Sequence, residues 1–195
     1  ISIGDYLADG QLEPNYRIHI KNIITRNSYG SGITLRNCRN SIIENVESIN
    51  HRMDVIESNI AIMGGGNNII RDNTIITSNE KGCNAIWLYD SNENLIKGNY
   101  LNLRFKDGSH MHGSSNNVYT ENEIHVANSW QSLVWPDTLY ESKKCGCKLP
   151  PSFKKKKTDI PSENNVFYGN KFYTGQFKDL GVESIFCVEG VGNEY

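Results

Sequence analysis

The sequence predicts an all-β solenoid, a coil of short strands in which every turn stacks in parallel on the turn before. A pattern with Asn before an alternating apolar stretch recurs as "NNIIRDNTII" at 67–76, "NNVYTENEIH" at 116–125 and "NNVFYGNKFY" at 164–173. Aligned positions, from Ile23 through Val46, Asn73 and Asn99 to Asn122, are 23, 27, 26 and 23 residues apart. No helical 3.6-residue period accompanies them, and the strands are too short for a sandwich. Short strands at this spacing are typical of a solenoid.

The elements follow in order from the aligned repeats. Each turn begins with an alternating strand, written "GITL" (32–35), "NIAI" (59–62), "NAIWL" (84–88), "SHMH" (109–112) and "SLVW" (132–135). One or two further strands follow in each turn, and their inward positions form three columns. These columns contain Ile43, Ile70, Ile96, Tyr119 and Phe167; then Val46, Asn73, Asn99, Asn122 and Asn170; then Ser48, Ile75, Leu101, Ile124 and Phe172.

Asparagine is strongly over-represented, with 25 residues in the chain. An Asn side chain carries both a donor and an acceptor, so an inward Asn at a bend can bond the Asn at the same place in the next turn. Asn also tolerates the left-handed backbone conformation that a tight corner requires. The repeats therefore predict an asparagine ladder at the bends of the coil.

The units "GITLRNCRNSIIENV", "AIWLYDSNENLIKGN" and "SHMHGSSNNVYTEN" resemble repeats of the right-handed parallel β-helix proteins, the pectate-lyase-like superfamily. The resemblance covers roughly residues 15–135 and 163–190 and is specific for the fold only. It implies a single right-handed parallel β-helix of about six to seven coils. Members are mostly carbohydrate-active lyases, hydrolases and epimerases, alongside phage tail-spike and surface proteins. The resemblance therefore implies a location outside the cell or at a cell or virion surface.

A long insertion interrupts the repeats. The Asn column jumps by 48 residues from Asn122 to Asn170, about two units, and the stretch 136–162 holds four of the five Pro and no alternation. We expect residues 136–162 to form a loop that extends from one turn of the coil, within a single domain of residues 1–195. Its Lys residues, including Lys154–Lys157, suit an anionic partner such as a uronate chain.

The two ends of the coil also lead to expectations. A solenoid end exposes apolar core and unpaired strand edges, which favours contact with another copy or a neighbouring chain. The chain opens on Ile1 without Met, so we expect it to be part of something longer.

Composition excludes several partners. The net charge is -2 and the sequence pI is about 6.2, so no nucleic-acid partner is expected. No run reaches the ~18 apolar residues of a membrane span. The five Cys form no even framework. Cys145 and Cys147 leave a disulfide, half a metal site and free thiols open.

The residues most suited to chemistry lie on one strand. If Met111 shares the inward column of Leu35, Ile62 and Leu88, then His110 and His112 face outward on the next alternation. Their predicted neighbours in the preceding turn are Trp87 and Tyr89, and the following turn offers Val134 or Trp135. We expect these side chains to form one exposed patch. Aromatic faces suit sugar C–H surfaces, and His can move protons near neutral pH.

Two corners add charged candidates. Arg104, Lys106 and Asp107 lie in the corner before the His strand, and His51 and Arg52 lie in an earlier, longer corner. In a lyase or epimerase, Arg104 or Lys106 neutralises a uronate carboxylate, His110 or His112 takes the C5 proton, and Tyr89 protonates the opposite side. Trp87, Trp135, Asp107, His51 and Arg52 are the expected binding residues.

Three functional interpretations remain open. The first is binding, and lyase- or epimerase-type processing, of an extracellular and anionic polysaccharide. The second is a non-catalytic rod of a viral fibre or surface assembly. The third is metal delivery through His110, His112 and the Cys145–Cys147 loop. We expect no cofactor. A divalent cation stays open as an alternative, but the outer columns hold Asp72, Asp90 and Glu93 singly and form no acidic cluster for it.

Overall fold

The structure, a computed structural model, describes residues 1–4, 15–51, 58–77, 84–103, 109–126, 134–137 and 162–174. Its strands form two sheets in which every pair is parallel. The first sheet has seven strands: β1 (Ser2–Ile3), β2 (Asn15–Tyr16), β4 (Ile33–Arg39), β6 (Ser58–Gly66), β9 (Asn84–Tyr89), β12 (Ser109–His112) and β15 (Val134–Asp137). Its order β1-β4-β6-β9-β12-β15 follows the chain, because each turn adds one strand beside the strand of the turn before.

The second sheet has ten strands. They are β3 (His19–Arg26), β5 (Ile42–Ile49), β7 (Ile69–Arg71), β8 (Thr74–Thr77), β10 (Leu95–Lys97), β11 (Tyr100–Leu103), β13 (Val118–Thr120), β14 (Glu123–Val126), β16 (Val166–Tyr168) and β17 (Lys171–Thr174). The long strand β5 pairs with β3 on one side, and with both β7 and β8 on the other. From there the sheet continues as two stacks, β7-β10-β13-β16 and β8-β11-β14-β17.

The chain therefore coils as a parallel β-helix, which confirms the predicted fold. Three coils have all three strands in one unbroken described range: 58–77, 84–103 and 109–126. A fourth set, β15, β16 and β17, is divided by residues 138–161, which lie outside the described ranges. These numbers differ from the predicted six to seven coils. The coil of β4 and β5 runs its last two strands together, and the terminal coils are described only in part.

The interior follows the predicted columns. Ile43, Ile70, Ile96, Tyr119 and Phe167 are partners in successive strands, and all are buried. Leu35, Ile62, Leu88 and Met111 form the corresponding column of the first sheet and are buried as well. These side chains belong to one continuous apolar core that runs along the coil.

Some inward positions are polar, and they include Ser48 and Ser109. Ser109 occupies the column of Ile60 and Ile86, and its hydroxyl lies 2.6 Å from the hydroxyl of Tyr119. Burial raises the pKa of Tyr119 above its ordinary value. The small Ser leaves room for the large Tyr across the interior, and each hydroxyl satisfies the other.

The predicted asparagine ladder is present. Asn99 Nδ2 donates to Asn122 Oδ1 (2.9 Å) and to the carbonyl oxygen of Ile70 (2.9 Å). Asn99 Oδ1 in turn accepts bonds from the backbone N–H (3.1 Å) and Nδ2 (2.9 Å) of Asn73. The ladder continues to Asn170. Each buried amide thus satisfies backbone groups that a bend would otherwise leave unpaired.

A second ladder, which the sequence analysis missed, runs parallel to the first. Asn68 Nδ2 donates to Asn94 Oδ1 (3.0 Å), Asn94 to Asn117 (2.9 Å) and Asn117 to Asn165 (3.0 Å). These Asn residues are buried and stand at the bend between the first sheet and the second. Each full coil therefore has two Asn-lined bends.

At each bend, the left-handed backbone conformation and the ladder hydrogen bond belong to two different residues, whereas the sequence pattern predicts both for one Asn. The residue just before each ladder Asn has a positive φ: Asn67, Asp72, Glu93, Gly98, Asn116, Glu121, Asn164 and Gly169. The left-handed turn and the ladder are thus made by adjacent residues. This explains why the repeats read "NN", "DN", "EN" and "GN": the first position tolerates a positive φ and the second needs the amide.

The coil is continuous across the long interval before residue 162. Strand β13 pairs with β16 and β14 pairs with β17, while Ser114 N–H donates to Ser162 Oγ (3.1 Å). Asn117 and Asn122 bond their ladder partners Asn165 and Asn170 across the same interval. Residues 138–161, which make up most of the predicted basic loop, lie outside the described residues.

Candidate functional site

The register of the first sheet aligns the predicted residues in two columns. The register pairs Trp87 with His110 and His110 with Trp135, and it pairs Tyr89 with His112. Met111 is 1% exposed and lies in the core, as the alternation predicted. The neighbour of His110 in the next coil is Trp135 and not Val134, which pairs with Ser109.

The register adds a residue that the sequence analysis missed. His112 is paired with Asp137, one coil further on. The two register columns therefore read Trp87–His110–Trp135 and Tyr89–His112–Asp137. Sequence reasoning left the register of the last strand open by one residue, so Asp137 could not be assigned to a column.

The predicted exposure of Trp87 and Tyr89 is wrong. Each is only 4% exposed. Their rings meet edge to face at a centroid distance of 5.7 Å, and they form an apolar cluster with Ala61 and Met63 of the preceding coil. Every residue of β9 is buried, so this strand has both of its faces shielded, as is usual in parallel sheets. Buried rings provide no face on which a sugar can stack.

The remaining predicted site residues have different outcomes. His110, His112 and Trp135 occupy neighbouring register positions on β12 and β15. Arg52, Arg104, Lys106 and Asp107 lie outside the described residues.

His51 is not on the surface, contrary to its predicted role in binding. It is fully buried at the corner that follows β5. Its Nε2 lies 3.1 Å from Thr25 Oγ1 and 3.0 Å from Ser48 Oγ, and its Nδ1 accepts a bond from the Ser28 N–H (3.1 Å). A Cβ added to Gly32 would lie 2.5 Å from Nε2, so the glycine is what makes room for the ring.

This environment keeps the imidazole of His51 neutral. Because Nδ1 accepts from a backbone N–H, the single ring proton is on Nε2, where Thr25 and Ser48 accept it. Burial lowers the pKa of His51 to about 4. His51 is thus a structural link between two coils and not a residue that contacts substrate.

A second group of surface residues was missed. Strands β11, β14 and β17 direct Tyr100, Asn102, Glu123, His125, Lys171 and Tyr173 outward, and we call this face the third-strand wall. His125 and Tyr173 stack at a centroid distance of 4.4 Å with an interplanar angle of 11°. Tyr100 and His125 lie 5.2 Å apart at 49°. The alternation argument used for His110 would have found this wall had it been applied to the later strands.

Polar groups accompany the rings of the third-strand wall. Glu123 Oε1 lies 2.7 Å from His125 Nε2, and Asn102 Nδ2 donates to the Tyr100 hydroxyl (3.3 Å). Tyr173 is 47% exposed. The wall therefore combines solvent-accessible rings with hydroxyl, carboxylate and amide groups.

Charges elsewhere on the coil form surface pairs. Glu44 accepts bonds from Arg71 Nε (2.8 Å) and His19 Nε2 (2.7 Å), and these hydrogen bonds, Arg71 first, lower the pKa of Glu44. Lys97 Nζ lies 3.3 Å from Glu121 Oε1. Among the described residues, no group of three or more His, Cys, Asp or Glu side chains is arranged to hold a metal ion. The same residues include no helix long and apolar enough to cross a membrane.

Comparison with known proteins identifies the architecture. The family model described as "right handed beta helix region" matches residues 11–179, which includes all three complete coils. A search of curated proteins found no match. The matched range covers most of the chain and agrees with the stacked parallel strands and continuous core. The chain therefore belongs to the right-handed β-helix family.

Proposed function

We propose that the protein binds an extracellular polysaccharide on the outer wall of its coil. In general, the right-handed β-helix fold suits carbohydrate binding or processing, and it also suits a structural rod. The observation that carries our proposal is the register of His110, His112, Trp135 and Asp137, which are neighbours across two adjacent strands. Strands of one sheet are about 4.8 Å apart, so these four positions fall within the reach of one sugar unit.

The residue types at these positions suit a sugar. An indole packs on sugar C–H surfaces, and imidazole and carboxylate groups bond hydroxyls. The burial of Trp87 and Tyr89 moves the proposed contact surface away from β9, to the coils of β12 and β15. The expectation of an anionic polymer depends on the Lys-rich stretch 136–162 and remains part of the proposal.

A reaction is the finer part of the proposal. In β-elimination on a uronate, a base removes the C5 proton, the C4–C5 double bond forms and the C4–O bond breaks, with the leaving oxygen taking a proton. His110 or His112 is our candidate base, and Asp137, the strand partner of His112, is our candidate for orienting it. Arg104 or Lys106 is our candidate for pairing with the carboxylate. Tyr89 is not a candidate for the acid that donates a proton on the opposite side of the sugar, because its side chain is buried.

The experiment has a binding part and a reaction part. Affinity electrophoresis through gels containing alginate, pectate, xylan or glucan measures binding, and absorbance of unsaturated uronates measures elimination. We expect at least one polysaccharide to retard the intact protein, and His110→Ala and His112→Ala to weaken that retardation. Normal retardation of both variants would remove His110 and His112 from the proposed binding surface, and the lack of any unsaturated product would remove the reaction.

The rod is the second candidate, and the asparagine ladders favour it. Buried amides linked from coil to coil stiffen a solenoid along its axis whether or not a ligand binds. In this proposal the coil ends join copies or neighbouring chains of a cell-surface or virion assembly. The assembly state of the purified protein distinguishes the two candidates.

A further inference from the structure

The third-strand wall has the features of a second ligand surface. Tyr100, His125 and Tyr173, which we call the ring column, belong to three successive coils. His125 and Tyr173 are register partners, whereas Tyr100 lies diagonal to His125, two residues before its register partner Asn102. Ring contacts between coils hold them in one arrangement. Side chains ordered in this way lose little further entropy when a ligand binds.

We propose that the ring column binds uncharged sugar units of a polysaccharide whose chain runs parallel to the axis of the coil. This inference rests on the proposed function and adds a site and a sugar class to it. The ring groups recur once per coil, at steps of about 4.8 Å, so they suit a ligand that also repeats. A compact small molecule would contact only one or two of the three rings.

The polar atoms of the wall point to sugar hydroxyls. The faces of His125 and Tyr173 meet each other, so a ligand meets ring edges together with the phenol hydroxyls, the Glu123 carboxylate and the Asn102 amide. These groups are hydrogen-bond donors and acceptors at the edges of an apolar strip. Such a surface matches a sugar, which presents C–H groups and hydroxyls side by side.

The charges on the wall favour an uncharged chain. Its outward residues contain one carboxylate, Glu123, and one ammonium group, Lys171, whose residues are partners in adjacent strands. The carboxylate is also within hydrogen-bond distance of His125. The one carboxylate and the one ammonium group balance, so these two residues give the wall no excess positive charge to attract a polyuronate.

The test compares two oligosaccharide classes on the intact protein. Isothermal titration with xylan or glucan oligosaccharides and with polyuronate oligosaccharides gives Kd for the natural sequence, Tyr173→Ala and His125→Ala. The control is Tyr29→Ala, which removes a 74% exposed tyrosine away from the wall. We expect Tyr173→Ala and His125→Ala to raise Kd for the uncharged class about ten-fold, as is typical for loss of a central contact. We expect Tyr29→Ala to stay within about two-fold.

The outcomes separate the two proposals. Unchanged Kd for uncharged oligosaccharides in both ring variants would overturn the ring column, as would a loss confined to polyuronates. In either case the proposed function stands, because the intact protein still binds a glycan. Failure of the intact protein to bind either class would overturn both. Matching thermal unfolding curves confirm that the variants are folded.

Discussion

His51 shows how one buried side chain links two coils. Its ring nitrogens contact Thr25 and Ser28 of one coil and Ser48 of the next. In the sequence this His stands in a polar corner, "NHRMDVIE", beside charged residues, and for that reason we predicted a surface role. Its burial depends on the space left by Gly32, more than ten residues away, and local sequence cannot reveal such a contact.

The neutral state of His51 predicts a pH dependence of stability. The pKa is lowered from 6.5 to about 4 in the folded protein, so the unfolded chain binds the proton first as the pH falls. The free energy of unfolding should be flat above pH 6.5 and should decrease by about 3 kcal/mol between pH 6.5 and 4. Urea unfolding at a series of pH values measures this slope.

The control for the pH prediction is a pair of substitutions. His51→Gln should reduce the slope between pH 6.5 and 4, whereas His19→Gln, which removes an exposed histidine, should retain most of it. The same slope in His51→Gln and in the natural sequence would show that another group titrates in this range.

At the scale of the element, each bend is made by two adjacent residues with separate duties. Asp72 and Gly98 adopt a positive φ, and the following Asn73 and Asn99 bond the neighbouring coils. The repeat pattern was sufficient to predict the Asn ladder, because only a few side chains satisfy a buried bend. It did not show that the left-handed residue precedes the ladder Asn, since Asn occurs at both positions.

The ladder predicts a large effect for a single Asn. Asn99→Ala should lower the free energy of unfolding by about 3 kcal/mol, because it leaves the Ile70 carbonyl and the Asn73 N–H without their buried partners. Asn102→Ala, an exposed position in the same coil, should change it by less than about 0.5 kcal/mol. Chemical denaturation measures both. Equal effects would mean that the ladder contributes little.

Glycine at a close approach gives a second element-scale prediction. A Cβ at Gly65 (φ +80°) would lie 2.0 Å from the Cys38 carbonyl oxygen, so Gly65→Ala should cost about 3 kcal/mol of stability. The atom nearest to a Cβ at Gly169 (φ +65°) would be Thr120 Oγ1 at 3.9 Å, and Asn45 has the same backbone conformation at the corresponding corner, so Gly169→Asn should be neutral within about 0.5 kcal/mol. Thermal unfolding compares them, and a stable Gly65→Ala would contradict the packing described.

For the whole molecule, the coil acts as a scaffold that repeats outward positions at equal steps. Alternation was enough to place Met111 inside, because a strand has only two faces. Alternation could not show that Trp87 and Tyr89 are buried, since the exposure of their side chains depends on tertiary packing around strand β9. The fold was therefore predictable from the repeats, while the exposed surface required coordinates.

The most direct test of glycan binding on the outer wall is sedimentation velocity of the intact protein, with and without the polysaccharide that retards it most in gels. We predict a single slowly sedimenting monomer that moves with the polymer when the polysaccharide is present. Oligomers or filaments whose sedimentation is unchanged by every polysaccharide would contradict the account and favour the structural rod.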